Sequence, residues 1–201
     1  MSKTKTQTPR AWQRMLSGRR LDLLDPSPLD VELEDIAHGL ARVARWNGQT
    51  FGDHAFSVAQ HSLLVEQVTA RLLKTPTREE RLYALLHDAP EYVIGDMISP
   101  FKAVMGGAYK DVELRLEQAV HMRMGLPADI PTTLKKQIKK ADGIVAYFEA
   151  TCLAGFSESE ARQIFSTPKG IAPDALDLTP MPTTIAQSTF LDRVTQIEAS
   201  K

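Results

Sequence analysis

Residues 77–91 read TREERLYALLHDAPE, and they indicate an α-helix that ends in a cluster of ionisable side chains. Thr77 followed three residues later by Glu80 is the pattern of a capping box, in which two side chains bind backbone N–H groups at the start of a helix. Leucines follow at helical spacing, so we expect the helix to continue to His87 and Asp88. This part of the chain is therefore predicted to be helical.

Pro90 interrupts the predicted helix, because proline lacks a backbone N–H and its ring clashes with the preceding turn. We therefore expect a bend at the point where His87, Asp88 and Glu91 lie. Ionisable side chains at the end of an apolar helix face are costly to bury unless they are paired or hold a metal ion. Imidazole nitrogens and carboxylate oxygens together suit first-row divalent ions, so this bend is a candidate metal site.

The same periodicity predicts helices along most of the chain, whereas the alternating β-branched runs typical of strands are almost absent. An N-terminal helix is expected to begin with Pro9 behind Thr8 and to end at Gly18, and residues 96–102 are expected to form a loop. The fold class predicted from this pattern is all-α. The other predicted helices span residues 33–44, 55–73, 109–124, 131–153, 157–165 and 184–200.

Length and composition favour one domain spanning residues 1–201. Hydrophobic residues make up 43% of the chain and charged residues 24%, so an ordinary core can form. Residues 166–182 are rich in proline and are expected to link the preceding helices to the last one. The N-terminus lacks the apolar segment of a signal peptide, and no stretch approaches the ~20 apolar residues of a membrane span. We therefore expect a cytoplasmic protein.

Charge and cysteine content narrow the classes of partner and of metal site. The 24 Lys and Arg residues balance 25 Asp and Glu residues, which argues against binding to a nucleic acid polymer or an anionic membrane, although a single nucleotide can still bind. Cys152 is the only cysteine, so neither an intramolecular disulfide nor a zinc site made of cysteines can form. Any metal must therefore bind to histidines and carboxylates.

Three separate predicted helices each supply residues of the kind that bind metals. His61 lies on one, His87 and Asp88 end the next, and Asp142 lies at a polar-to-apolar transition in a third. Taken alone, each histidine is more often an ordinary core or surface side chain, and Asp142 is as well explained as a surface acid. Helical bundles build metal sites from side chains on facing helices, so the combination favours a site for one divalent ion.

These residues, in this order, resemble the H…HD…D signature of the HD-domain metal-dependent phosphohydrolases. The similarity extends roughly from residue 36 to residue 148, and further motifs are similar to those of the bacterial 5'-deoxynucleotidase branch. Small phage-type HD enzymes that act on dATP are also similar. The motifs that carry the resemblance are Arg45-Trp46, SVAQHS at 57–62, HDAPE at 87–91, Gly95-Asp96 and PFK at 100–102.

The resemblance implies a role for each of these positions. His61, His87, Asp88 and Asp142 would be the metal ligands, and Glu91 would act on the attacking water.

Further positions would contact the substrate. Asp96 matches a second catalytic or ribose-contacting acid, Arg45 and Lys102 match phosphate-binding residues, and Trp46 matches a residue that selects sugars without a 2'-hydroxyl. The alternatives are that Trp46 belongs to the core and that Arg45 and Lys102 are solvated helix caps.

The function expected from the residues and the resemblance is the hydrolysis of deoxynucleoside 5'-monophosphates by an orthogonal helical bundle of the HD type. The ligand set leaves the ion open among cobalt, manganese, zinc, iron and magnesium. Arg45 and Lys102 are the only basic residues that both motif and position place near the metal, which favours a monophosphate over a triphosphate. Lys139 can lie near the helix face of Asp142 and add charge, whereas Lys135 and Lys136 are expected to face solvent. The alternatives are a dATP triphosphohydrolase and a catalytically silent nucleotide-binding domain. An apolar face on the last helices would suit a homodimer.

Overall fold

Helices make up most of the computed structural model, which describes residues 10–98, 101, 102, 104 and 107–200. The all-α class predicted from the sequence is confirmed. Seven of the eight helices labelled here were predicted from the periodicity, and the short α4 follows the bend expected at Pro90. Their bounds are α1 Leu33–Leu40, α2 Val58–Leu73, α3 Arg78–Leu85, α4 Glu91–Ile94, α5 Gly107–Arg123, α6 Thr132–Cys152, α7 Glu158–Ile164 and α8 Thr183–Ala199.

The predicted N-terminal helix is wrong over the described residues. Strands β1 (Trp12–Arg14) and β2 (Arg20–Asp22) instead form an antiparallel pair, and Thr8 and Pro9 lie outside the described part of the chain. Gly18 has a φ of 91°, which lets the chain reverse between the strands. The hairpin is held to the helices at the loop, because the backbone N–H and the hydroxyl of Ser17 both donate to Asp35 of α1.

Two further boundaries differ from the prediction. Helix α1 ends at Leu40 and not near residue 44, because Ala44 is extended and residues 43–45 form hydrogen bonds with residues 56–58. Phe101 and Lys102 are helical and not part of a loop, since both of their backbone N–H groups donate to the carbonyl of Ile98. The first difference places the start of the Arg45-Trp46 motif beside the start of α2.

Capping explains where the helices near the site begin. Ser57 caps α2 by accepting a hydrogen bond from Gln60 N, and the predicted capping box of Thr77 and Glu80 opens α3. Helix α2 packs against α3, α6 and α8, and α1 packs against α4 and α8. All eight helices contribute buried apolar side chains, among them Ile36, Leu82, Leu116, Ile144, Ala161 and Phe190. None of the described helices has the length and apolar character needed to cross a membrane.

The proline-rich segment 166–182 runs from α7 to α8 and contacts α2. It contains a 3-10 turn at Pro173–Ala175, and Leu176 is buried. Gln60 binds the segment twice, donating to the carbonyl of Thr179 and accepting from the N–H of Met181. The segment is therefore ordered against the helix that carries His61.

Candidate metal centre

His61 lies in the first turn of α2 and is fully buried. Its Nδ1 atom is 2.6 Å from Oε1 of Glu149 and donates a hydrogen bond to that carboxylate. The other ring nitrogen, Nε2, lies 3.3 Å from Asp142 Oδ1 and 3.5 Å from Asp88 Oδ2. Because Nδ1 donates to Glu149, Nε2 is the ring nitrogen that faces the space between these two carboxylates, where it can hold a proton or bind a metal ion.

His87 and Asp88 follow the end of α3, at the bend that the sequence predicts. His87 Nδ1 donates to the carbonyl of Ala84 at 3.0 Å, and His87 Nε2 lies 3.2 Å from Asp88 Oδ2. The bend is closed by turn hydrogen bonds, among them Ala89 N to the carbonyl of Leu86, and Pro90 precedes the first residue of α4. The bend therefore turns His87 and Asp88 towards His61.

The grouped atoms fit a divalent ion. Nε2 of His61 and Nε2 of His87 are buried and make no hydrogen bond of good geometry within the described part of the chain, which is unusual for polar atoms in a core. Donor atoms of His61, His87 and Asp88 all lie within 4.8 Å of one another, and Asp142 adds a carboxylate at 3.3 Å from His61. An ion with bonds of about 2.0–2.1 Å in tetrahedral geometry separates its ligands by roughly 3.3 Å. The observed separations of 3.2, 3.3 and 3.5 Å match that spacing.

The electrostatics of the cluster favour a positive charge at its centre. Burial and the neighbouring Arg45 both lower the pKa of His61, but Glu149 and Asp142 outweigh them and raise it to about 10. Burial would raise the pKa of Asp88, yet the two histidines and Arg45 hold it well below its usual range. Asp88 thus stays ionised, and the cluster attracts either a second imidazole proton or a metal cation. Binding a cation would displace that proton.

Glu149 connects the cluster to the Arg45-Trp46 motif, and sequence reasoning missed it. Its buried carboxylate accepts hydrogen bonds from His61 Nδ1, from Arg45 Nε at 3.3 Å and from Trp46 Nε1 at 2.9 Å. Burial would raise the pKa of Glu149, but His61 and Arg45 lower it to about 2. Asp142 lies seven residues earlier on α6, which places both acids on one helix face. The seven-residue spacing between these two acids is the only pattern in the sequence that points to Glu149.

Arg45 and Trp46 lie in a tight 3-10 turn. Trp46 and Asn47 have φ values of 58° and 51°, a conformation that non-glycine residues adopt at a cost of about 1–3 kcal/mol each. The turn is held by Glu149 and by the Trp46 ring, whose centroid lies 5.6 Å from that of Phe156 and 5.7 Å from that of Phe165. Trp46 is thus fixed at its edge by Glu149 and on its ring by two phenylalanines.

Asp96 is connected to the metal cluster by Arg45, which contacts both Asp96 and Glu149. Its Oδ2 atom lies 3.1 Å from Arg45 Nη1, and both side chains are largely buried. Two carboxylates, those of Asp96 and Glu149, therefore hold one guanidinium. Their charges raise the pKa of Arg45 despite its burial, so Arg45 stays charged.

Glu91 and Lys102 form the opposite edge of the site. Glu91 is buried at the start of α4, with Oε1 3.3 Å from Lys102 Nζ and Oε2 without a hydrogen-bond partner among the described residues. Burial, then Asp88 and Asp96, raise the pKa of Glu91 to about 9, although Lys102 opposes the shift. Lys102 Nζ also lies 3.2 Å from Oε1 of Glu113. In the ion-free site Glu91 therefore carries a proton near neutral pH.

Helix α5 contributes acidic side chains that the sequence analysis did not single out. Glu113 binds Lys102, and burial raises the pKa of Glu117, which lies one turn further along. The hydroxyl of Tyr109 donates to Glu113 at 3.5 Å. The spacing of Tyr109, Glu113 and Glu117 at four-residue intervals places them on one face of α5, a signal visible in the sequence.

Comparison with known proteins gives the family. A family model described as 5'-deoxynucleotidase YfbR-like matches residues 36–167, which include every candidate site residue named above. An uncharacterized protein of Rhodobacter capsulatus is 63% identical over 159 residues, covering 79% of this chain and 81% of the relative. The resemblance drawn from the motifs and the HD type of all-α fold are thereby confirmed. This chain belongs to the YfbR-like 5'-deoxynucleotidase family of the HD superfamily.

Proposed function

We propose that this protein hydrolyses deoxynucleoside 5'-monophosphates to a deoxynucleoside and inorganic phosphate, with one divalent ion on His61, His87, Asp88 and Asp142. The observation that carries the proposal is the spacing of 3.2–3.5 Å among donor atoms from α2, α6 and the bend after α3, next to a buried guanidinium. Family membership supports the same class of reaction. A divalent ion bound there would supply Lewis-acid polarisation of a phosphoryl oxygen and activation of water.

Arg45 would bind the phosphate. Asp96 and Glu149 fix its Nη1 and Nε atoms, which leaves Nη2 without a hydrogen bond among the described residues. A planar guanidinium fixed in this way meets phosphate oxygens with little loss of side-chain freedom. Asp96 would therefore act mainly by orienting Arg45, in addition to any contact with the sugar.

Glu91 would transfer a proton during hydrolysis. Its Oε1 atom is occupied by Lys102, so Oε2 is the oxygen that is free to hold a proton or to pass it on. In the ion-free site burial, Asp88 and Asp96 raise the pKa of Glu91 to about 9, and a carboxyl group at this position could donate a proton to the departing 5'-oxygen. Lys102 would keep the side chain in place and, on substrate binding, add a second positive charge near the phosphate.

The balance of charge favours a monophosphate substrate. Arg45 and Lys102 each already contact two carboxylates, so neither offers a full unmatched charge. A triphosphate brings roughly two more negative charges than a monophosphate and would need further cationic donors. The rigid Trp46 ring would supply a wall against which a ribose 2'-hydroxyl has neither space nor a partner.

The test is a comparison of dAMP, AMP and dATP as substrates of the metal-loaded protein, with products resolved by phosphorus NMR. We expect inorganic phosphate from dAMP, a slower reaction with AMP and no triphosphate from dATP. Asp88→Asn should abolish the reaction, whereas Asp111→Asn, which removes the same charge from an exposed position on α5, should not. Release of triphosphate from dATP without phosphate from dAMP would contradict the proposal.

A further inference from the structure

A second cluster of charge lies away from the metal centre, in a surface pocket of about 580 Å³ between α2, α3 and α8. Four cationic side chains line it, and no carboxylate is among the described side chains at its surface; the cations are Arg71, Lys74, Arg81 and Arg193. The chain as a whole has a formal charge of -1, so this concentration of positive charge is local. Like charges at close range repel, and an anion would relieve that repulsion.

Two of these arginines are held in fixed positions by a buried acid beneath the pocket. Glu66 has a fully buried side chain, with Oε1 2.7 Å from Arg81 Nε and Oε2 2.6 Å from Arg193 Nη2. One negative charge therefore neutralises only one of the two positive charges of these guanidiniums. Arg81 uses only Nε in this contact, so both of its Nη atoms are free among the described contacts to bind an anion.

Lys74 and Arg71 add charge that no described acid matches. To the residues that the structure describes, Arg71 makes one side-chain hydrogen bond, from Nη2 to the carbonyl of Ala175. Lys74 lies just past the end of α2 with φ 66° and ψ -52°, and Thr75 N donates to the carbonyl of Leu73 across it. This is a γ-turn of the strained kind, which costs energy for any residue with a side chain. The turn places a lysine where helices usually end in glycine.

We propose that this pocket binds the phosphate chain of a polyphosphate, either free pyrophosphate or the tail of a nucleoside di- or triphosphate. After Glu66 is counted, three of the four positive charges remain unmatched, which suits a ligand with two to four negative charges. Guanidiniums that are already fixed lose little freedom when they bind phosphate. The pocket shares no residue with the metal centre, although α2 carries His61, so the inference stands whether or not the proposed reaction is correct.

The test removes the two cations that do not contact the buried Glu66. Arg71→Gln with Lys74→Gln leaves the Glu66 contacts intact, and Lys136→Gln with Lys169→Gln is the control, since it removes the same charge from exposed positions elsewhere. Pyrophosphate, tripolyphosphate and ATP are titrated into each metal-loaded protein by calorimetry. Each lost charge-assisted contact should weaken binding about tenfold, so the double variant should bind roughly 100-fold more weakly than the control. Unchanged thermal melting shows that both variants fold.

Arginine side-chain NMR locates the bound anion. Pyrophosphate should shift the Nε–H signals of Arg71 and Arg81 in the unaltered protein. In the pocket variant, which lacks Arg71, the shift at Arg81 should be lost at the same pyrophosphate concentration. Equal affinity for pyrophosphate in the pocket and control variants, or shifts at Arg45 alone, would overturn the proposal, as would absence of binding to the unaltered protein. Tighter binding of ATP than of tripolyphosphate identifies a nucleotide as the ligand, and equal binding identifies the phosphate chain alone.

Discussion

Replacement of Glu149 by glutamine tests whether this buried acid holds the metal ligands and the phosphate-binding arginine together. Glutamine has the same shape, so no cavity forms, but the side chain becomes neutral and one of its two acceptors becomes a donor. The amide nitrogen would then face either His61 Nδ1–H or the N–H groups of Arg45 and Trp46. One set of hydrogen bonds is therefore lost, and a buried guanidinium loses a counter-ion.

The expected loss of stability follows from the pKa of Glu149. This pKa falls from its ordinary value of 4.5 to about 2 in the folded chain, since His61 and Arg45 outweigh the effect of burial. A carboxyl group whose folded pKa is lowered stabilises the protein above its unfolded pKa, and that contribution fades as the pH falls towards its folded pKa. The shift corresponds to about 3 kcal/mol at pH 7. The variant should also bind its metal roughly 10–100-fold more weakly.

The assay is denaturant unfolding of both proteins in the presence of a chelator, at pH 7 and at about pH 3.5. Glu149→Gln should lower the free energy of unfolding by about 3 kcal/mol at pH 7, and the difference should shrink at the lower pH. Glu34→Gln, at an exposed position of α1, should behave as the unaltered protein. A variant within about 0.5 kcal/mol of the unaltered protein at pH 7 would refute the reasoning, because surface substitutions produce changes of that size.

Three further predictions concern the proposed reaction. Glu91→Gln should keep the metal and the fold but lower turnover by a factor of about 10² or more. Turnover is measured as phosphate release, and the metal content of the same sample is measured by elemental analysis. Unchanged turnover would show that Glu91 takes no part in the reaction. His87→Ala or Asp88→Ala should lose the stoichiometric metal, and elemental analysis that still finds one tightly held ion per chain would exclude the assigned ligands. Trp46→Phe should lose the hydrogen bond to Glu149 and narrow the preference for dAMP over AMP, whereas an unchanged ratio of kcat/KM would remove Trp46 from sugar selection.

Helix positions followed from the sequence because they depend on local patterns. The capping box at Thr77 and the bend at Pro90 are both present, since each depends on residues close in the chain. The N-terminal hairpin was not predicted, because it depends on distant contacts. Ser17 binds Asp35, which lies eighteen residues away, and Leu21 is buried by the helices. Local periodicity carries no information on such contacts.

The side chains that the structure groups at the site could be singled out from the sequence, whereas the contacts that support them could not. His61, His87, Asp88 and Asp142 could be chosen because metal-binding residue types occurred at polar-to-apolar transitions on three helices. Glu149 lies in an apolar run with no neighbouring polar motif, and its role depends on the packing of α6 against α2. Contacts between helices that are distant in sequence decide which buried acid meets which donor, and they require the folded structure.

The most direct test of the central claim is a titration of the metal-free protein with a divalent ion while phosphate release from dAMP is followed. Four ligands for one ion predict that activity rises in proportion to added metal and reaches a plateau at about one ion per chain. Asp88→Asn, titrated alongside, should stay inactive at the same metal concentrations. Phosphate release that is as fast in excess chelator as with the metal ion present would contradict the claim. Equal rates of phosphate release in Asp88→Asn and in the unaltered protein would also contradict it.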